Sequence, residues 1–169
     1  RKRVNVIMKK IKAFLKKWGF FLIIPLVFIL TFDYKMIQPS IVERPANSIY
    51  DPNHRLNRDT EDKLLRFNRD NETQLGIYIV DNLGFKPLES TSLEIARKWK
   101  IGYEDSNKGI LLVIAVNDRK MRIETSNQAA MLLTDAESYQ ILDDNKLLMK
   151  EKRYNEAVSN IISAIHKEV

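Results

Sequence analysis

The sequence predicts an α/β fold, in which helices flank a small sheet and one N-terminal transmembrane helix comes first. Three observations support this prediction: an uncharged run at residues 18–32, short apolar runs typical of buried strands, and helical patterns between and after those runs. The chain has 169 residues, of which 44% are hydrophobic. That composition is sufficient for one packed domain.

The positive charge of the chain is concentrated at its N-terminus. The net charge is +6, but residues 1–17 hold eight Lys or Arg and no acid, so residues 33–169 carry a net charge of −2. Because a nucleic-acid-binding domain usually displays basic residues on its folded body, we expect no nucleic-acid partner. The absence of Cys excludes disulfides, zinc–thiolate sites and cysteine nucleophiles.

Residues 18–34 are predicted to form a transmembrane signal anchor. The run Trp18–Phe32 is uncharged, and as a helix it would rise roughly 22 Å. Flanking lysine stems, Trp18 and Tyr34 can extend its reach to both interfaces, so the lipid bilayer is an expected partner. A cleavable signal peptide is the alternative, although no small-x-small cleavage pattern follows Phe32.

The basic residues set the expected orientation and localisation. Residues 1–17 should stay in the cytoplasm, which places the C-terminal body outside the plasma membrane. Their apolar residues recur at helical spacing, a pattern that fits either an amphipathic helix on anionic lipid or an extension of the anchor. Residues 35–58 contain three Pro and three Asn and are interpreted as a linker and irregular lead-in. The Lys- and Asn-rich, Cys-free composition is more typical of a bacterial envelope protein than of a plastid one.

The remaining residues, 59–169, begin with a pattern of helix, strand and helix. An acidic stretch at 59–62 followed by spaced apolar residues predicts a helix start. Gln74–Val80 is typical of a short buried strand. A second helix is expected from about Ser90 to Gly102, with Trp99 of this helix in the core.

A hairpin and a helical C-terminal part complete the predicted body. Gly109–Val116 is almost free of polar atoms, as expected of a central strand covered on both faces. After a turn at Asn117-Asp118, the alternating Lys120–Thr125 predicts a returning antiparallel strand. From Asp135 the pattern is helical to the end of the chain, with a break near Lys152-Arg153.

Carboxylates at predicted strand ends and loops are the candidate site residues. Asp81, Asp105, Asp118, Glu124 and Asp135 occupy such positions, and oxygen ligands suit a hard cation. Strand-end acids are also ordinary turn and cap residues, and Asp135 directly after Thr134 is typical of a helix cap. The two histidines are not in a ligand-spaced pair, and the sequence has no glycine-rich phosphate loop or hydrolase motif.

A series of short motifs runs through the middle of the chain. They are Ala96, Trp99, Ile101-Gly102, Gly109–Val113, Asp118-Arg119, Arg122–Glu124, Leu133–Ala136 and Tyr154–Ala157. Together they resemble the TPM domain of bacterial envelope proteins and thylakoid-lumen photosystem-repair proteins, over about residues 41–165. The resemblance implies a three-layer α/β/α sandwich around a small mixed sheet, on the extracytoplasmic side of a membrane. It also implies a disputed biochemistry, since divalent-cation binding and acid phosphatase activity are attributed to some members and accessory roles to others.

The chain departs from the family pattern in two loops. Asn107-Lys108-Gly109 stands where the family has Asp-Asn-Gly, and residues 126–130 read Ser-Asn-Gln-Ala-Ala where the family has Gly-x-Gly-Leu-Glu. The loss of two carboxylates and two glycines weakens a hard-cation site and the close backbone approach it needs. The resemblance therefore implies a degenerate site. The binding residues it leaves are Asp118, Arg119, Glu124, Asn127 and Asp135.

These observations lead to a functional prediction. We expect a single-pass, membrane-anchored, TPM-like binding or accessory domain without catalysis, acting on an unidentified membrane protein or envelope component. A divalent-metal-dependent phosphatase is the alternative. No catalytic residue and no cofactor are expected; if calcium or another divalent cation binds, Asp118, Glu124 and Asp135 are the expected ligands.

Overall fold

The computed structural model describes residues 41–102 and 106–169, together with Lys12 and Lys16. The chain divides into two units, Arg1–Pro39 and Ser40–Val169, and every strand and helix bounded below belongs to the second. The predicted anchor at 18–34 lies outside the described residues. Among the residues that are described, no helix is both long enough and apolar enough to cross a membrane.

The described body alternates strand and helix before ending in helices. The elements are β1 (Ile49–Tyr50), α1 (Arg58–Asp70), β2 (Gln74–Val80), α2 (Leu88–Trp99), β3 (Gly109–Ala115), β4 (Lys120–Thr125), a 3₁₀ turn (Ala129–Met131), α3 (Asp135–Asp144), α4 (Lys146–Lys150) and α5 (Tyr154–Glu168).

The four strands form one mixed sheet in the order β1-β2-β3-β4. The first three strands are parallel and β4 returns antiparallel to β3. The two crossover helices, α1 and α2, pack on opposite faces although both connections advance in the same direction across the sheet. The two crossovers therefore have opposite hands, so one of them has the uncommon left-handed form.

Alternation along the strands builds a core on each face. On one face Ile77, Ile79 and Leu112 pack with α1, α3 and α5. On the other face Tyr78 and Val113 pack with α2 and residues near it. Helix–sheet–helix layering around a small mixed sheet is thus confirmed as the architecture of the described body.

Three local features differ from or refine the sequence prediction. β1 was not predicted, because a two-residue strand leaves no alternation to detect. The C-terminal helical pattern is interrupted twice, first at Asn145 and again before Tyr154, where Lys152 adopts a left-handed φ of 62°. Thr134 is the N-cap of α3 and forms a reciprocal capping box with Glu137, so Asp135 is the first helical residue.

The first and last helices hold each other across the layer that they share. The ammonium group of Lys63 on α1 donates to the Ser159 carbonyl oxygen at 2.7 Å and lies within hydrogen-bond distance of the Ser159 and Ser163 hydroxyls on α5. Burial lowers the pKa of Lys63, and the charge of Arg66 adds to this effect. The Asn155 side chain also accepts the backbone N–H of Asn57, the residue that caps α1.

Tyr78 should make stability depend on pH in the alkaline range. Its ring stacks on Tyr50 at 4.9 Å, and burial, followed by the charge of Tyr50, raises its pKa from 10.0 to about 12. A raised folded-state pKa stabilises the fold fully below pH 10, and this contribution is lost as the pH rises towards 12. Between pH 9 and pH 11, the free energy of unfolding measured with denaturant should therefore fall more in the native chain than in Tyr78→Phe. An equal loss in both would contradict the assignment, with Tyr139→Phe as the control for removing one phenol.

Candidate functional site

A groove lies between α2 and the ends of β3 and β4. It encloses a cavity of about 430 Å³. Side chains from α2 line one part of it, and the polar segment that follows β4, called the polar wall below, lines another. The lining residues are Leu93, Ala96, Arg97, Ile101, Gly102, Asn107, Gly109, Ile110, Leu111, Glu124, Thr125, Ser126, Asn127 and Gln128.

Two glycines allow the backbone to close this groove at its base. Gly102 has a φ of 81°, and a Cβ atom there would lie 2.4 Å from the backbone nitrogen of Gly109. A Cβ atom on Gly109 would lie 2.2 Å from the carbonyl oxygen of Ile101. Both positions thus require glycine, because the end of the α2 segment passes directly against the start of β3.

Ser126 ties the end of β4 to the segment that leads into β3. Its hydroxyl oxygen accepts the backbone N–H of Gly109 at 2.9 Å and donates to the carbonyl oxygen of Asn107 at 2.6 Å. The backbone N–H of Ser126 donates to the Gly109 carbonyl oxygen at 2.8 Å. This residue therefore fixes the polar wall in which Asn127 and Gln128 stand exposed.

Glu124 is the acid of the groove, and its carboxylate is already engaged. Its Oε2 atom accepts from the Arg122 Nε at 2.8 Å and lies 2.8 Å from the Ser92 hydroxyl. That hydroxyl has one proton and also lies 2.9 Å from the Glu89 carbonyl oxygen, so it serves one acceptor at a time. The Glu124 side chain is 15% exposed. Arg122 therefore neutralises a largely buried carboxylate beside the groove.

The structure separates the five residues predicted to bind. Glu124 and Asn127 line the same groove. Asp118 and Arg119 lie in the turn at the other end of the β3–β4 hairpin, where Asp118 Oδ2 accepts the N–H of Leu83 at 2.8 Å. Asp135 begins α3. Across residues 41–102 and 106–169, no three His, Cys, Asp or Glu side chains are arranged to hold a metal ion, so the carboxylates of Asp118, Glu124 and Asp135 do not converge.

A second polar cluster lies at the carboxyl ends of β1 and β2. The guanidinium of Arg55 pairs with Asp81 through its Nη2, and the Asn53 amide donates to the other Asp81 oxygen at 3.2 Å. Arg55 Nη1 lies 3.8 Å from Asp51 Oδ1, and both atoms are buried without a hydrogen-bond partner among the described residues. The chain leaves these two strands towards opposite faces of the sheet, an arrangement that opens a crevice in other α/β folds.

Sequence reasoning identified only part of these two clusters. Asp81 was a candidate because it follows a predicted strand. Asp51 and Arg55 were not candidates, since the two-residue strand that places them escaped prediction. Arg97 and Ser126 were also missed; the only signal for Ser126 was its place in the loop where the chain departs from the family pattern.

Comparison with known proteins identifies the fold family. The family model described as the TPM domain matches residues 49–168. The chain belongs to the TPM domain family. The match begins at β1 and ends with α5, so this TPM domain comprises all the strands and helices described above. The family predicted from the sequence is thereby confirmed.

Solved structures share the architecture of this TPM domain. The N-terminal domain of a protein from P. gingivalis, solved by NMR, is 25% identical, with a TM-score of 0.64 over 72% of this chain and 80% of that one. The BA42 protein from Bizionia argentinensis is 12% identical, with a TM-score of 0.57 over 70% and 83% of the two chains. The N-terminal domain of the cg2496 protein from Corynebacterium glutamicum is 8% identical, with a TM-score of 0.56 over 77% and 87%. The last two likenesses concern the fold alone. No curated protein matches the chain.

Proposed function

We propose that this TPM domain is a non-catalytic binding module that is held to a membrane by residues 18–34, with its body outside the cytoplasm. It would bind a partner membrane protein or another envelope component in the groove between α2 and β4. The observation that supports this most directly is the state of Glu124, whose carboxylate is engaged by Arg122 and Ser92. Because these contacts hold the Glu124 carboxylate in place, it would act as a fixed part of the surface that binds the partner.

The lining of the groove also fits recognition of a polypeptide. Leu93 is exposed at 38%, and the exposed residues Asn127 and Gln128 line the same groove. A few polar groups set among apolar side chains are typical of binding sites that rely on shape and hydrogen bonding. The membrane part of the proposal is supported by the uncharged run Trp18–Phe32 and the basic residues before it.

A metal-dependent phosphatase is the rival function. Such an enzyme needs carboxylates that meet around one or two cations, so that metal-bound water can attack phosphorus. Here Asp118 is bonded to the Leu83 backbone and Glu124 to Arg122, at opposite ends of one hairpin. This arrangement favours the binding function.

The proposed function can be tested with the full chain in native-like membranes. A photo-crosslinking amino acid at Asn127 should yield a specific adduct with a membrane or envelope protein, whereas the same probe at Gln140 on α3 should not. The partner identified by mass spectrometry should then bind the purified chain directly. Hydrolysis of p-nitrophenyl phosphate with magnesium, calcium or manganese should stay at background. Metal-dependent hydrolysis that Asp135→Ala or Asp118→Ala abolishes would overturn the proposal in favour of the phosphatase.

A further inference from the structure

β4 is the last strand of the sheet that the described residues form, and its outer edge has free backbone groups. Ser126 and Gly109 form a hydrogen-bonded pair, and such pairs alternate with non-bonded pairs along an antiparallel ladder. By this alternation the N–H and C=O groups of Met121, Ile123 and Thr125 point away from β3. Within residues 41–102 and 106–169, none of these outward groups has a hydrogen-bond partner.

The side chains of β4 are divided by character between its two faces. Lys120 and Arg122 pair with Ala115 and Val113 and therefore lie on the α2 face. Met121 and Ile123 pair with Ile114 and Leu112 and therefore lie on the opposite, apolar face. An added strand would thus meet cationic side chains on one face and apolar side chains on the other.

The charge around this edge is predominantly positive. Arg119 and Lys120 are exposed at one end of β4, and Arg97 stands exposed on α2 beside the groove at the other end. Arg122 is the fourth cation, but it is paired with Glu124 on the same face of the strand, and Asp118 adjoins Arg119 in the turn. Four cations and two carboxylates leave a surplus of two positive charges. This surplus of cations attracts an acidic segment and disfavours pairing between two copies of the same edge.

We infer that the edge of β4 binds an extended, acidic segment of the partner protein as a fifth strand of the sheet. This inference rests on the proposed function and specifies its partner. Backbone hydrogen bonds to Met121, Ile123 and Thr125 hold the segment, as in other cases of strand addition. Its acidic side chains face Lys120 and Arg122, and its alternate apolar side chains cover Met121.

The inference can be tested by fluorescence polarisation with the full chain and a labelled eight-residue peptide in which glutamate and valine alternate. We expect saturable binding that weakens at least tenfold when lysine replaces glutamate in the peptide. Methylation of alternate peptide nitrogens on the edge-facing side should weaken binding at least tenfold as well, because it removes the ladder donors. Lys120→Glu should weaken binding of the acidic peptide, and Lys167→Glu on α5 should leave it unchanged.

Two results would overturn the inference. Equal binding of the N-methylated and unmodified peptides would show that charge alone attracts the segment, without strand addition. Concentration-dependent self-association that Met121→Pro abolishes would assign the edge to a second copy of the chain. If a specific adduct forms at Asn127 and either of these results is obtained, the proposed function stands and only the strand-addition inference fails. If the chain shows metal-dependent hydrolysis and still binds the peptide normally, only the proposed function fails.

Discussion

Replacing Gly109 by alanine is expected to lower the free energy of unfolding by about 3 kcal/mol. An added Cβ atom would lie 2.2 Å from the Ile101 carbonyl oxygen and 2.6 Å from its carbon. Both are backbone atoms of the segment that closes the groove, so relief requires β3 and that segment to separate. Urea unfolding of the full chain, followed by circular dichroism, measures the change.

Gly76→Ala is the matched control for this prediction. Its added Cβ atom would lie 2.4 Å from the Ile101 Cδ1 atom, which is the movable end of a side chain. We therefore expect a smaller loss, of about 1 kcal/mol, after the side chain shifts. Equal losses for the two variants would show that the contact between the backbones at Ile101 and Gly109 does not limit the side chain at position 109.

Trp99→Ala is expected to be still more destabilising, by about 3–5 kcal/mol. The side chain is 2% exposed, packs edge-to-face on Tyr78 at 5.7 Å, and donates from Nε1 to the Val42 carbonyl oxygen at 2.9 Å. Its removal leaves a cavity beneath α2 and frees residues 41–44, which lead into the domain. Thermal unfolding should register the loss as a lower midpoint with unchanged secondary structure at low temperature.

Trp99→Phe separates the packing contribution from the hydrogen bond. Phenylalanine keeps an aromatic ring against Tyr78 but cannot donate to Val42, so a loss of about 1–2 kcal/mol is expected. Should Trp99→Phe and Trp99→Ala be equally unstable, the hydrogen bond would carry the effect and the packing argument would be wrong.

The fold could be predicted largely because its strands have strong patterns. Gln74–Val80 and Gly109–Ala115 are buried on both faces. Strands of this kind have continuous apolar sequences, which are easy to detect. Tyr50 and Ile49 form a strand only because β2 offers them a partner, and two residues give no periodicity of their own. The break at Asn145 was equally hidden, since the apolar spacing continues through it.

The candidate site was harder to predict because the extended strand β4 separates residues that are close in sequence. Lys120 and Glu124 stand four residues apart on one strand, which amounts to about 13 Å. Asp118 therefore lies at the far end of β4 from Asn127, although the family motif contains both. Arg97 reaches the groove from a different element, and only the packing of α2 on the sheet brings it there.

The bonds between α1 and α5 have a consequence for how the chain comes to be folded. Lys63 and Ser159 are 96 positions apart, and Asn57 and Asn155 are 98 apart. Closing such a long loop gains nothing until the last helix is available, because the entropy is lost before the contacts form. One layer of the sandwich therefore stays incomplete during synthesis, because α1 lacks the contacts with α5 until the end of the chain is made. Any machinery that carries the nascent polypeptide from the ribosome meets it before that layer has closed.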